Sequence, residues 1–369
     1  MSIPFADLKK QYCTLQPEID TAMKQVIEKS AFINGPFAAV FEEEFARFCS
    51  AKFCIGVGNG TDALFIALKG LGVGAGDEVL VPAMTFIATG EAVTMAGAKP
   101  IFVDVDPATG TMSVEDLRRK ISPTSKAVIT VHLYGHPADM NAIDPIAREK
   151  GLYVVQDAAQ AHGATIDGRP LSKFGDCVCY SFYPGKNLGA YGDAGAVVTD
   201  NADLAEYIRK FANHGRNDKY DHQFEGVNSR LDGLQAAILS VKLKYLDQWT
   251  AQRRAIAAIY KRELTGLKGL ILPKSHSWAG HVYHLYVVRC ANRYSLQEFL
   301  SDNKIATGIH YPVALPFMEA YAYYRHVHTD FPVAYAMQES VFSLPMYPEM
   351  TEDQVMQVCR AIKTFCDKY

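Results

Sequence analysis

Between residues 52 and 200, seven short apolar runs alternate with helical stretches, and this alternation constrains the fold more than any other feature of the chain. The runs are KFCIGVG, DEVLVP, KPIFVDV, KAVITVHL, LYVVQD, CVCYSFY and GAVVTD. Helical segments such as TDALFIALKGLG and DPIAREKG separate most of them. Parallel strands need a long crossover between them, and a helix supplies it. Runs this continuously rich in Val and Ile leave no polar face, so both faces of the sheet must be covered. The expectation is an α/β fold with a mostly parallel seven-stranded sheet. The short connection between CVCYSFY and GAVVTD leaves that pair free to run antiparallel.

A long helical pattern then runs from Asp232 to Leu264, and the last third mixes strands (YHLYVVRC) with helices (SLQEFLSDN and TEDQVMQVCRAIKTFCDKY). The proline-rich piece GIHYPVALPFM reads as loop. This order predicts a large domain over residues 1–245 and a smaller α+β domain over 246–369. Composition narrows the function. With 37 Lys and Arg against 40 Asp and Glu, the chain lacks the basic surplus of a protein that grips nucleic-acid backbone. No apolar run reaches membrane-spanning length, and MSIPFADLKKQY does not read as a signal peptide. Eight scattered cysteines form no C-x-x-C pair, so a reduced cytoplasmic setting without a structural zinc is expected. Cys177 and Cys179 share one face of a strand and read as small core residues.

In parallel sheets, ligands bind beyond the carboxyl ends of the strands, and several polar groups fall there. GVGNGTDAL follows a strand and opens a helix. Gly60 lets the backbone approach an anion, Thr61 adds a hydroxyl, and the helix start adds free N–H groups. The same stretch is also consistent with an ordinary cap at Thr61 followed by Asp62. LYVVQDAAQAHG ends a strand at Asp157, with Gln160 just beyond. A buried carboxylate needs a partner, which is either a structural ion pair or a ligand. CYSFYPGK ends another strand at Ser181 and leads to Lys186. A lysine held in a dry loop can lose its proton and attack a carbonyl; a surface loop lysine fits the same letters. Phe86, in VPAMTFIATGE, is placed to stack on a flat ligand or to fill core. Together, an anion cradle, a strand-end aspartate and a loop lysine match the needs of pyridoxal 5′-phosphate, PLP.

These motifs resemble the DegT/StrS family of sugar aminotransferases, which have the aspartate-aminotransferase, fold type I, architecture. The resemblance runs from NGTDAL through GDEVLVPAMTFIAT, GAKPIFVDVDP, VHLYGHPADM, DAAQAHGA, SFYPGKNLGAYGDAGAVVT and NSRLDGLQAAIL to GIHYP. It implies that Lys186 binds PLP as a Schiff base and then shuttles the proton. It implies that Asp157 keeps the ring nitrogen protonated, Gln160 bonds the ring hydroxyl and Phe86 covers the ring. Gly60, Thr61 and Ser181 are implied to hold the phosphate, joined by Asn228 from a second subunit of a homodimer. Tyr183, Lys219, His310 and Tyr311 lie where relatives contact a nucleotide-linked sugar. The implied reaction takes an amino group from an amino acid, L-glutamate being expected, and gives it to a nucleotide-linked ketosugar. The lysine argues against the dehydratase branch of the family, which carries histidine there. Cys290, in a strand-like run, does not suit a cysteine desulfurase. YPGKNLGA resembles the enzymes that aminate C-3. That implies a 3-keto-hexose, with a 6-deoxy sugar on dTDP ahead of a UDP-linked 2-acetamido sugar. A C-4 enzyme and a non-catalytic PLP-binding regulator are the alternatives.

Overall fold

The computed structural model describes residues 2–368. Its main sheet has seven strands: β1 (Phe53–Val57), β2 (Glu78–Pro82), β3 (Lys99–Val103), β4 (Ser125–Val131), β5 (Tyr153–Asp157), β6 (Cys177–Ser181) and β7 (Gly195–Thr199). Their order is β1-β7-β6-β5-β4-β2-β3. The β6–β5, β5–β4, β4–β2 and β2–β3 pairs are parallel. β7 runs antiparallel to both β6 and β1, so β1 points the same way as the parallel set. All seven apolar runs form these strands, and the antiparallel step follows CVCYSFY, as the short connection allowed.

Side chains alternate across each strand, and both faces are packed. Val79, Val81, Ala127, Ile129, Val155, Cys177, Cys179 and Val197 join one core with Ala63, Leu64 and Ala67 of helix Gly60–Gly70 and Ile208 of helix Ala202–Phe211. Leu80, Val128, Val154, Val178 and Val198 join the opposite core, with Phe41 and Phe45 of helix Pro36–Phe48, and Ala236 and Ile238 of helix Gly233–Leu243. Two hydrophobic layers explain why the strands carry no polar face.

The Asp232–Leu264 pattern is two helices, Gly233–Leu243 and Leu246–Leu264, separated at Lys244–Tyr245. The break has a packing cause. The first helix lies on the main sheet, whereas Ile256, Ala257 and Tyr260 of the second belong to a third core. That core is built on an antiparallel sheet of Leu270–Ile271, Tyr286–Cys290 and Val341–Leu344, with helices Arg293–Asp302 and Glu352–Lys368. Ile3 is buried in the same core and bridges to Ile305. GIHYPVALPFM is loop apart from a single turn of 3₁₀ helix at Leu315–Phe317. Among the described residues, no helix is long and apolar enough to cross a membrane.

Candidate active site

The carboxyl ends of β1, β4, β5 and β6 share one edge of the sheet. Ser181 and Val57 both pair with Gly195 of β7, which brings the turn after β1 against the end of β6. This approach needs glycine. A Cβ on Gly60 would lie 2.6 Å from the Ser181 Cβ, and one on Gly195 would lie 2.4 Å from the Asn59 carbonyl oxygen. The N-cap of the following helix is Asn59, not Thr61 as the sequence suggested. Asn59 is in extended conformation and its Oδ1 accepts the Asp62 N–H at 2.8 Å. Asp62 stands in the first turn, as read, and its carboxylate accepts from Ser229 Oγ at 2.6 Å. The cap therefore takes one free N–H and leaves those of Gly60 and Thr61 for a ligand. Ser181 Oγ lies beside them.

Asp157 ends β5, buried. Its Oδ2 accepts from Thr89 Oγ1 at 3.1 Å and its Oδ1 from the Ala159 N–H at 3.1 Å. Burial raises its carboxyl above the ordinary range, while the Ala159 N–H, the Lys186 charge and Thr89 oppose the rise. Burial pulls the Lys186 ammonium below its ordinary range, against the attraction of Asp157. Burial thus works against charge on both groups, and their mutual attraction works for it.

The loop carrying Lys186 is held from several sides. Its N–H donates to the Tyr183 carbonyl at 2.8 Å. Asn187 donates to the Val282 carbonyl at 3.2 Å and contacts His284 Nδ1 at 3.1 Å. Lys242, buried in helix Gly233–Leu243, donates to the Gly189 carbonyl at 2.7 Å and lies 4.1 Å from the Tyr191 ring centre. Burial brings Lys242 down to about 8. The His162 and His310 imidazoles feel the Lys186 charge: burial, then that charge, brings His162 to about 3 and His310 to about 4.

Gln160 joins this group. Its Oε1 accepts the Tyr134 N–H at 2.6 Å and its Nε2 donates to the Tyr311 hydroxyl at 3.0 Å. The Tyr311 ring lies 5.8 Å from that of Phe86, which is 54% exposed and open to a ligand rather than packed in core. Tyr183 is exposed at the rim. Lys219 and Asn228 are not brought to the lysine within this chain. Lys219 sits in an exposed turn, 5.3 Å from the Tyr220 ring, and Asn228 is exposed in an extended stretch bridged to Asn213. Thr89, Tyr134, Asn187, Lys242 and His284 escaped sequence reading. VHLYGHPADM was visible as a motif, but nothing in its letters marked Tyr134 apart from its neighbours.

The residues present fit PLP. An amine of lowered pKa, a buried carboxylate acting on it and an anion cradle at a helix start are the donor set the group needs. The cradle survives only because Gly60 has no side chain. Among the described residues, no cluster of His, Cys, Asp and Glu is arranged to hold a metal ion.

The model of the DegT/DnrJ/EryC1/StrS aminotransferase family matches residues 14–363. The erythromycin biosynthesis sensory transduction protein EryC1 of Saccharopolyspora erythraea is 44% identical, covering 98% of this chain and 99% of its own. A dTDP-3-amino-3,4,6-trideoxy-α-D-glucose transaminase of Streptomyces venezuelae is 42% identical, over 99% of this chain and 97% of its own. The crystal structure of S. venezuelae DesV in complex with a ketimine intermediate superposes with a TM-score of 0.98 at 41% identity, covering 100% of this chain and 99% of that one.

Proposed function

The chain belongs to the DegT/DnrJ/EryC1/StrS aminotransferase family, and from that premise we propose that it is a PLP-dependent enzyme that moves an amino group from L-glutamate to C-3 of a nucleotide-linked ketohexose. The observation that carries the reading is the arrangement at one sheet edge: Lys186 with a lowered pKa, the buried Asp157 acting on it, and the Gly60–Ser181 cradle.

When bound, PLP supplies an aldehyde for an amine and an electron-poor ring that spreads the charge left as a C–H bond breaks. The chain's own residues do the rest. Lys186 Nζ would be the amine that holds the cofactor, and as a free base it would move the proton between the reacting carbons. Its lowered pKa favours the free-base form that both tasks require. Asp157 keeps the ring nitrogen protonated, and Thr89 and the Ala159 N–H hold that carboxylate in place. The N–H groups of Gly60 and Thr61, with the Thr61 and Ser181 hydroxyls, bind the phosphate. Gln160 donates to the ring hydroxyl and Phe86 covers one face of the ring. Asn228 of the partner subunit completes the phosphate site in a homodimer, which accords with its exposure here. Residues 1–245 carry the cofactor groups, and residues 246–369 contribute His310 and Tyr311. With Tyr183 and Lys219, these two orient the sugar.

The C-3 assignment is supported by YPGKNLGA around the lysine and by the activity named for the S. venezuelae relative. The test is a half-reaction followed by product analysis. PLP-loaded protein and L-glutamate should release one 2-oxoglutarate per site with loss of the Schiff-base absorbance, and Lys186→Ala should not. Matched 3-keto and 4-keto hexoses on dTDP and UDP are then offered, with NMR to locate the amine. An amine found only at C-4 overturns the regiochemistry, and no release of 2-oxoglutarate overturns the donor.

A further inference from the structure

Tyr134 follows β4 with φ 59° and ψ 6°. This left-handed conformation is uncommon for a bulky side chain and marks a place where the surroundings over-determine the backbone. The surroundings are three hydrogen bonds made by one buried residue. Its N–H donates to Gln160 Oε1 at 2.6 Å. Its carbonyl accepts the Leu285 N–H at 3.3 Å. Its hydroxyl donates to the His310 carbonyl in a short contact. Because a backbone N–H can only donate, the end of Gln160 facing Tyr134 must be oxygen. Nε2 then faces the other way, spends one N–H on Tyr311 at 3.0 Å and keeps a second. The bonds close into a ring: Tyr134 to Gln160, Gln160 to Tyr311, along the chain to His310, and back to Tyr134.

We propose that Tyr134 is a positioning residue that couples the cofactor side of the site, at Gln160, to its substrate side, at His310 and Tyr311. The inference rests on the reading above, in which Gln160 faces the cofactor and the 310–311 loop faces the sugar. Gln160 cannot swing without breaking its bond to Tyr134 or to Tyr311, and the 310–311 loop cannot withdraw without breaking the Tyr134 hydroxyl bond. Glycine, the usual occupant of this backbone conformation, would offer the N–H but no hydroxyl.

Tyr134→Phe opens the ring at one bond and preserves the N–H to Gln160 and the buried aromatic surface. The experiment compares it with wild type in three measurements on the PLP-loaded protein: amide hydrogen exchange over residues 308–313, the rate of the glutamate half-reaction, and KM for the ketosugar. The expected result is faster exchange in 308–313 and a KM raised about five- to tenfold, the loss that one buried hydrogen bond produces, with the half-reaction changed by less than about twofold. Unchanged exchange and KM overturn the proposal. So does a fall in the glutamate half-reaction as large as the rise in KM, with a lowered melting temperature, which marks a general structural role. If wild type itself fails the glutamate half-reaction, glutamate falls as the donor, whereas the exchange comparison still decides whether the ring holds the loop.

Discussion

Replacing His132 with asparagine should make the protein less stable at neutral pH yet flatten its response to acid. His132 sits where β4 ends, fully buried, with its N–H on the Asp157 carbonyl at 3.0 Å. Its ring nitrogens are assigned by their partners. Nδ1 accepts the Ala138 N–H at 2.9 Å and so must be bare. Nε2 therefore carries the hydrogen and donates to Gln156 Oε1 at 3.1 Å. Protonation would set a second N–H at Nδ1 against that of Ala138, in a fully buried site. Burial, and to a lesser degree His136, accordingly bring His132 down to about 4, with Gln156 opposing.

The sign follows from proton counting. An unfolded histidine titrates near 6.5. Between about 6.5 and 4 the unfolded chain binds the proton and the folded chain does not, so stability falls as pH falls through that window. For one such group the loss from pH 7 to pH 5 comes to about 2 kcal/mol. Asparagine keeps an oxygen for the Ala138 N–H but loses the ring packing and the Gln156 bond, at a cost of about 2–4 kcal/mol at pH 7. It cannot titrate. The stability gap between wild type and His132→Asn should therefore narrow by about 2 kcal/mol between pH 7 and pH 5. Urea unfolding of both proteins at equal PLP concentration measures the gap directly, and other titrating groups cancel in the difference. A gap that stays constant with pH would refute the claim that His132 is buried neutral in a fixed tautomer.

Two further substitutions probe the cofactor groups. Gly60→Ala places a Cβ 2.6 Å from the Ser181 Cβ, and overpacking of this kind costs about 1–3 kcal/mol. PLP affinity, read from absorbance titration of apoprotein, should fall roughly tenfold or more, and an unchanged affinity would remove Gly60 from the cradle. Thr89→Val keeps the side-chain shape but deletes the donor 3.1 Å from Asp157 Oδ2. The Asp157 carboxyl should then rise further, so the acidic limb of the pH–rate profile should move to higher pH, with kcat down roughly five- to tenfold. A profile that does not move means that Thr89 does not tune the aspartate.

What could be read in the letters was whatever local periodicity and strand ends encode. The seven strands were legible because each is buried on both faces, which forces a continuous apolar run on every one. Gly60, Asp157, Gln160, Ser181 and Lys186 were legible because each stands at or just beyond the end of a run, where a polar residue is conspicuous. The helical pattern from Asp232 to Leu264 gave no sign of its division because both halves keep helical periodicity. The break at Lys244–Tyr245 comes from two different cores, and no local signal reports a change of partner. The N-cap was placed two residues late because Asn59 and Thr61 both suit the position, and the choice depends on how closely the turn is pressed against Ser181.

Lys242 shows the limit most clearly. In ILSVKLKYL it looks like any helix-face lysine, and its neighbour Lys244 is indeed exposed. Lys242 is instead 1% exposed, with its ammonium on the Gly189 carbonyl and near the Tyr191 ring. A charge can be tolerated there because the Lys186 loop turns a carbonyl and an aromatic face toward it, and both are consequences of the fold. Tyr134 is hidden for the same reason. Its three bonds go to Gln160, Leu285 and His310, which are 26, 151 and 176 positions away in the chain. The residues proposed to touch the cofactor are written in local pattern, whereas those that hold them in place are written only in the contacts the completed fold creates.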